Sequence, residues 1–398
     1  MTDRQVIAAA VLALVAAWFH PSVPWWVAAG ALGGAVASRD WRVALVATVA
    51  VVAWSGDRAV DGLAPPTAGS AVGVARVMAD PEWNLGRVHA EIRLDGARLA
   101  ATADADASRA LGRAEVGDEV TVVGRIRHFD ARSPYLDSRH LAARILLDEV
   151  SQPRAGPPPY RWANAFRATL DRGSEVMSPG HQALFLGLVI GDDGDQDDLT
   201  RHRFRASGLS HLLAVSGQNV AFVLLVAAPL LGRLRLGVRW WATVGILLLF
   251  GLVTRWEPSV MRAVAMAGVA ATAAFAGRFA TALRVLAIAI IVVVAIDPLV
   301  VQSLAFQLSV AATLGLVVIA RPLSNRIPGP RILIEPLALV ISAQVLTTPL
   351  LIVVLGQPWP VASLPANLLA GPVAGWVMVW GLTAGVAAGL VDPLAPML

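Results

Sequence analysis

Phe204 to Leu225 reads FRASGLSHLLAVSGQNVAFVLL. The stretch begins polar, turns apolar, and carries His211, Ser216, Gln218 and Asn219 into a run suited to hydrocarbon. A bilayer core holds no water to satisfy such groups, so polar side chains at that depth face a bundle interior or a water-filled path. On one ideal helix His211, Val215, Gln218, Asn219 and Phe222 share a face, with Ser216 on another. That stripe predicts a lining within an α-helical polytopic membrane protein.

The rest of the chain agrees. Hydrophobic residues make up 56% and charged residues 15%, with a mean hydropathy of +0.64. Apolar runs recur at Gln5–Phe19, Trp25–Ala37, Trp41–Trp54, Ser210–Leu231, Trp240–Val253, Ser259–Phe275, Leu283–Ile296, Ser303–Ala320, Ile332–Leu355 and Ala362–Leu390. Together they predict about ten transmembrane helices across a hydrocarbon layer of about 30 Å. The first run leads straight into the second and third, unlike a cleavable signal. The absence of cysteine excludes disulfides and thiolate metal sites. All 32 basic residues are arginine, and the net charge is only +4.

The placement of those arginines matters more than their sum. Arg39 and Arg42, then Arg233, Arg235 and Arg239, then Arg278 and Arg284, then Arg321, Arg326 and Arg331 occupy every second loop. The intervening loops, Thr254–Pro258, Asp297–Gln302 and Gly356–Val361, hold Arg255 alone. The positive-inside rule makes the basic loops cytoplasmic.

Residues 57–150 break the pattern and read as soluble. Alternation at Ala71–Met78, Arg87–Leu94, Arg98–Thr102, Glu119–Arg127 and Leu141–Val150 predicts strands, and Asp95-Gly96 a hairpin turn. Five strands in so short a segment predict a small extracytoplasmic β-barrel of the OB type; an SH3-like barrel or small sandwich fits the alternation nearly as well. On its surface Arg87, Arg93, Arg125 and Arg127 are candidates for phosphates, and Trp83, Phe129 and Tyr135 for stacking on bases. Residues 151–180 follow as a proline-stiffened linker and an amphipathic helix. There Trp162, Phe166 and Leu170 recur at helical spacing, predicting a membrane-surface face, with packing on the barrel as the alternative. Residues 181–398 form the membrane core, with Ala183–Ile190 too short to span.

Within the core, Arg262, Gln307 and Asn367 join His211, Ser216, Gln218 and Asn219 as candidate lining residues. An intramembrane arginine is costly and needs a partner or a pathway; Glu257 and a passing phosphate are both open. Catalysis finds little support. On one helix His211 and Ser216 stand roughly 140° apart, and no aspartate shares their depth. The acidic run GDDGDQDD (Gly191–Asp198) has aspartates at the first calcium positions of an EF-hand loop but neither its glycine nor its glutamate. It is expected to cap the helix that follows. No metal or cofactor is expected.

Five segments carry a resemblance. GLSHLLAVSG (Gly208–Gly217), EPSVMRAVAM (Glu257–Met266), AFQLSVAATLGL (Ala305–Leu316), SAQVLTTPLL (Ser342–Leu351) and PANLLAGP (Pro365–Pro372) occur in the order seen in the ComEC competence proteins. The resemblance implies a channel that imports single-stranded DNA across the cytoplasmic membrane during natural transformation. It also implies an external OB-like domain, and a DNA receptor and a cytoplasmic translocation motor as partners. Two departures qualify it. Gln218-Asn219 stands where the family most often has Leu-His, so a role tied to that second histidine does not carry over. No HxHxDH motif follows the last span, so the lactamase-like nuclease domain of many members is expected to be missing. A small-molecule or ion transporter, or an intramembrane serine hydrolase using Ser216 or His211, are the rival functions.

Overall fold

Alternating residues outside the membrane runs build a closed barrel. The computed structural model describes residues 2–19, 21–38, 40–192, 194–213, 217–278, 280–356 and 362–391. Strands β1 (Gly69–Val77), β3 (Arg87–Leu94), β4 (Ala97–Ala103), β5 (Glu119–Arg127) and β6 (Leu141–Val150) fall where alternation predicts them, and a short β2 (Glu82–Asn84) is added. The sheet order is β1-β5-β6-β4-β3-β2, and β1 also pairs with β3, so five strands close on themselves. Asp95 and Gly96 both have positive φ, 47° and 86°, as a tight primed turn between β3 and β4 requires. Four of the neighbouring pairs are antiparallel, while β4 and β6 run parallel. Inward residues such as Val77, Ile92, Leu99, Val122 and Ile145 fill the barrel and are fully buried. Gly124 sits at a register shift in β5, where a Cβ would come 2.4 Å from the Leu146 carbonyl oxygen.

The helices of the N-terminal half are α1 (Asp3–Phe19), α2 (Trp25–Ser38), α3 (Trp41–Asp61), α4 (Ala105–Leu111), α5 (Pro134–Ser138), α6 (Pro158–Ser174), α7 (Pro179–Ile190) and α8 (Asp198–Ala206). Then come α9 (Ser210–Leu213), α10 (Gly217–Leu231), α11 (Leu236–Val253), α12 (Pro258–Phe275), α13 (Ala282–Ile296) and a 3-10 turn at Pro298–Gln302. α14 (Leu304–Gly315) continues through a π turn into α15 (Arg321–Ser324), followed by α16 (Arg331–Leu355). α17 (Ser363–Trp380) continues likewise into α18 (Val386–Leu390).

Six helical stretches among the described residues are long and apolar enough to cross a bilayer, not ten. They are Trp41–Asp61, Leu236–Val253, Pro258–Phe275, Leu304–Ser324, Arg331–Val354 and Ser363–Leu390. Length explains the shortfall. α1, α2, α10 and α13 have 17, 14, 15 and 15 residues. At about 1.5 Å per residue their described lengths are about 21–26 Å, shorter than any of the six. Across the span expected at Ser210–Leu231 the described residues are helical at Ser210–Leu213 and Gly217–Leu231. Ser216 lies outside the described residues, as do Arg39 and Asp193.

The chain divides into two compact units. One comprises Ala8–Ala165 with Ile291–Ser303 and holds the barrel; the other comprises Thr2–Ile7, Phe166–Ile290 and Leu304–Leu398 and holds most of the helical core. Within the first unit His140 Nε2 meets Asp297 Oδ1 at 2.9 Å, tying the turn before β6 to the 3-10 turn after α13. The Asp297 carboxylate also accepts from the Leu299 N–H, capping that turn. Within the second unit helices touch through glycine. A Cβ on Gly315 of α14 would come 2.1 Å from the Ser342 carbonyl oxygen of α16. Such small-residue contacts replace the hydrophobic drive that lipid removes.

Candidate functional site

Arg262 lies one turn into α12, and Pro258 at the first helical position sets that start. The residue is buried, with 6% exposure. Its Nε donates to Ser309 Oγ on α14 at 2.7 Å, and its Nη1 lies 2.8 Å from Met266 Sδ. A Cβ on Gly217 would come 2.7 Å from its Nη2, so the start of α10 is shaped to its guanidinium. Among the described residues its hydrogen-bond partners are a hydroxyl and a thioether, and no ion pair joins it to Glu257. A guanidinium has five donors, and these neighbours leave most of its charge uncompensated.

A second polar group spans three helices. His211 of α9 lies near the Asn367 side chain of α17. Asn367 Nδ2 donates to the Ser363 carbonyl at 2.7 Å and reaches Ser363 Oγ at 3.2 Å. Gln344 Nε2 of α16 donates to the same Ser363 Oγ at 2.9 Å. Gln344 Oε1 is buried with no partner among the described residues. A buried acceptor without a donor is costly, so this end of the chain of hydrogen bonds is open to a donor.

The expected stripe divides. Asn219 is buried, and its Nδ2 donates to the Leu188 carbonyl oxygen at 2.9 Å. It therefore stitches the end of α7, whose last carbonyls lack helical partners. Gln218 is exposed and Gln307 half-buried. Neighbours in sequence on a helix point about 100° apart, which is why Gln218 and Asn219 part company. Ser309, Ser363 and Gln344 were not among the predicted site residues. Their signal was weak: Ser363 precedes Asn367 by four residues, and Ser309 follows Gln307 by two.

On the barrel, all four predicted arginines are exposed. Arg87 pairs with Asp104 at 2.8 Å and Arg125 with Asp148 at 3.5 Å. Arg93 and Arg127 make no ion pair among the described residues. Trp83 and Tyr135 are exposed, at 58% and 63%. Phe129 is half-buried beneath the Arg144 guanidinium, 5.3 Å from its ring centroid. Glu91 on β3 is buried although it points outward, because Arg98 at 2.5 Å and Arg139 both close on it.

α6 presents a different face from the one expected. Trp162 is exposed, while Ala163, Asn164, Arg167 and Leu170 are buried. In the first unit Asn164 Nδ2 donates to the Val116 carbonyl of the barrel at 3.0 Å. In the second, Arg167 donates to the Val253 carbonyl at 3.1 Å and to Asp192 Oδ2 at 2.5 Å. Long-range partners, invisible to a helical wheel, drew the arginine inward. The acidic run does cap its helix. Asp197 accepts from the Thr200 N–H at 2.6 Å, and that bond, with the Thr200 hydroxyl, holds its carboxyl below the ordinary aspartate value.

A family model described as Competence protein matches residues 188–398. The chain belongs to this family. The matched span of the competence domain contains His211, Ser216, Gln218, Asn219, Arg262, Gln307 and Asn367. No curated protein and no solved structure matches the chain. Family and membrane-length helices together make this a multi-pass membrane protein with a transport role. No lactamase-like motif occurs in its sequence, and no three potential metal-ligating side chains gather among the described residues.

Proposed function

We propose that this chain is a ComEC-type channel that passes one DNA strand across the cytoplasmic membrane. The observation that carries the reading is the competence match over residues 188–398, which takes in both polar groups of the core. Arg262 offers donors to a passing phosphate, held in place by Ser309 and the cradle at Gly217. The chain from His211 to Gln344 offers amides and hydroxyls, which replace phosphate and base hydration without trapping a polyanion. Gln344 Oε1 is an acceptor for a base amino group or for water.

The barrel meets the strand first, on the external side. Two observations support that side: the arginine-poor loops alternate with basic ones, and His140 of the barrel unit pairs with Asp297 at the start of an arginine-poor loop. The closed order of five strands, with α4 between β4 and β5 and one parallel pair, supports reading the barrel as OB-like. Arg93 and Arg127 are its readiest phosphate contacts.

Photo-crosslinking tests the path. A benzophenone amino acid at Gln307 or Asn367 is expected to capture a labelled strand arrested during uptake. The same probe at Leu369, an exposed apolar residue of α17, is expected to capture none. Equal capture at all three positions, or capture at Leu369 alone, would remove the polar groups from the path.

A further inference from the structure

The ends of α10, α11 and α12 that carry the basic loop residues bear two shallow grooves that strand import does not use. Each has a volume of about 320 Å³, and they meet at Ala274. One is lined by Leu231, Trp240, Ala271 and Phe275, with Arg239 as its charged residue. The other is lined by Ala270, Ala273 and Val285, with Arg278 as its charged residue.

Three observations define what fits. First, the aromatic side chains form an interfacial belt. The Trp240 ring stands edge-on to Trp241 at 4.5 Å and lies 5.7 Å from Phe275. The Trp240 indole N–H donates to Thr272 Oγ1 at 3.1 Å, and Trp241 is 69% exposed. Amphipathic rings of this kind sit at headgroup depth. Second, the local charge is one-sided. Between Leu199 and Ile296 the sole carboxylate is Glu257, at the opposite end of α12. Arg284 is paired with Asp3, but Arg233, Arg235, Arg239 and Arg278 make no ion pair among the described residues. Third, the walls below these arginines are apolar and continuous with helix faces that belong in hydrocarbon. A free phosphate or a DNA strand would satisfy the guanidinium groups and leave the walls bare.

We propose that these paired grooves bind an anionic phospholipid of the leaflet at this face, its phosphate on Arg239 and Arg278 and its acyl chains along the grooves. Basic pockets between helices at a membrane surface recognise such headgroups. The inference stands apart from strand import, because it rests on other residues and needs no DNA.

The full chain, purified in detergent and offered equal amounts of phosphatidylglycerol and phosphatidylcholine, would be weighed by native mass spectrometry. Phosphatidylglycerol is expected to be retained at least about fivefold over phosphatidylcholine, the factor expected for one basic contact at a membrane surface. In R239Q/R278Q the ratio is expected to fall to near one, while R326Q, in a different basic turn, keeps it. A tenfold excess of glycerol phosphate is expected to leave the lipid bound. Equal retention of both lipids by the wild-type chain would overturn the proposal. So would a preference that survives in R239Q/R278Q, displacement by glycerol phosphate, or displacement by a single-stranded oligonucleotide.

Discussion

Arginine lives two different lives in this protein. On the barrel it sits mostly in water beside a carboxylate: Arg76 with Glu119, Arg87 with Asp104, Arg125 with Asp148. Exposed pairs of this kind contribute about 0–1 kcal/mol and exchange partners readily. In the bundle, Arg262 is buried against a hydroxyl and a thioether. Removing a charge from water costs several kcal/mol after relaxation. The barrel's arginines could be kept for solubility alone, whereas Arg262 persists against a cost and so points to function. Loose contacts in water can collect a polyanion; a single desolvated one can select and orient it.

That contrast fails if Arg262 is merely structural, and its substitution carries the largest expected effect. Arg262→Gln is expected to lower internalised DNA by about 10- to 100-fold, the loss of one or two hydrogen bonds to a charged group. Arg262→Lys keeps the charge but not the planar fork, and rescues in part. Glu257→Gln leaves uptake near wild type. Restoration of uptake by adding Glu257→Gln to Arg262→Gln would show an ion pair instead and break the contrast.

Asn219 comes next in size and sharpens the boundary between lining and stitching. Asn219→Leu leaves the Leu188 carbonyl oxygen without its donor, and is expected to cost about 1–3 kcal/mol of stability. Thermal unfolding of the purified chain measures it. Uptake per folded molecule should stay close to wild type. A stable variant that no longer imports DNA would return Asn219 to the path.

How far the sequence reveals these features depends on the range of the interactions that fix them. The barrel strands were legible because period-two alternation and the Asp95-Gly96 turn act over neighbouring residues. β2 escaped because three residues are too few to show a period. The span count was overestimated because apolar runs such as Trp25–Ala37 mark membrane affinity more clearly than helix length. The stripe from His211 to Asn219 divides because Asn219 bonds to the Leu188 carbonyl, a partner 31 residues away. The burial of Arg167 and the meeting of His211 with Asn367 depend on partners distant in the chain, which no wheel displays. Arg262 was legible because one charge in an apolar run stands out at any range.

The smallest effect belongs to the barrel. Substituting Arg93→Gln and Arg127→Gln together should weaken single-stranded DNA binding and reduce its salt slope by about 1.4, about 0.7 for each phosphate no longer neutralised. Arg87→Gln with Arg125→Gln should change it less, since those groups are already committed to Asp104 and Asp148. Binding isotherms of the full chain between low and moderate salt compare the two pairs. Equal slopes would mean that the ion pairs do not govern which arginines meet the strand.

The most direct test counts nuclease-protected donor DNA inside cells. A strain lacking this gene, given DNA labelled on either strand, is expected to protect none. Expression of the chain is expected to restore protection of one strand only, and expression of Arg262→Gln is expected to restore little. Protection of both strands, or undiminished protection in the strain lacking the gene, would contradict a single-strand path through this chain.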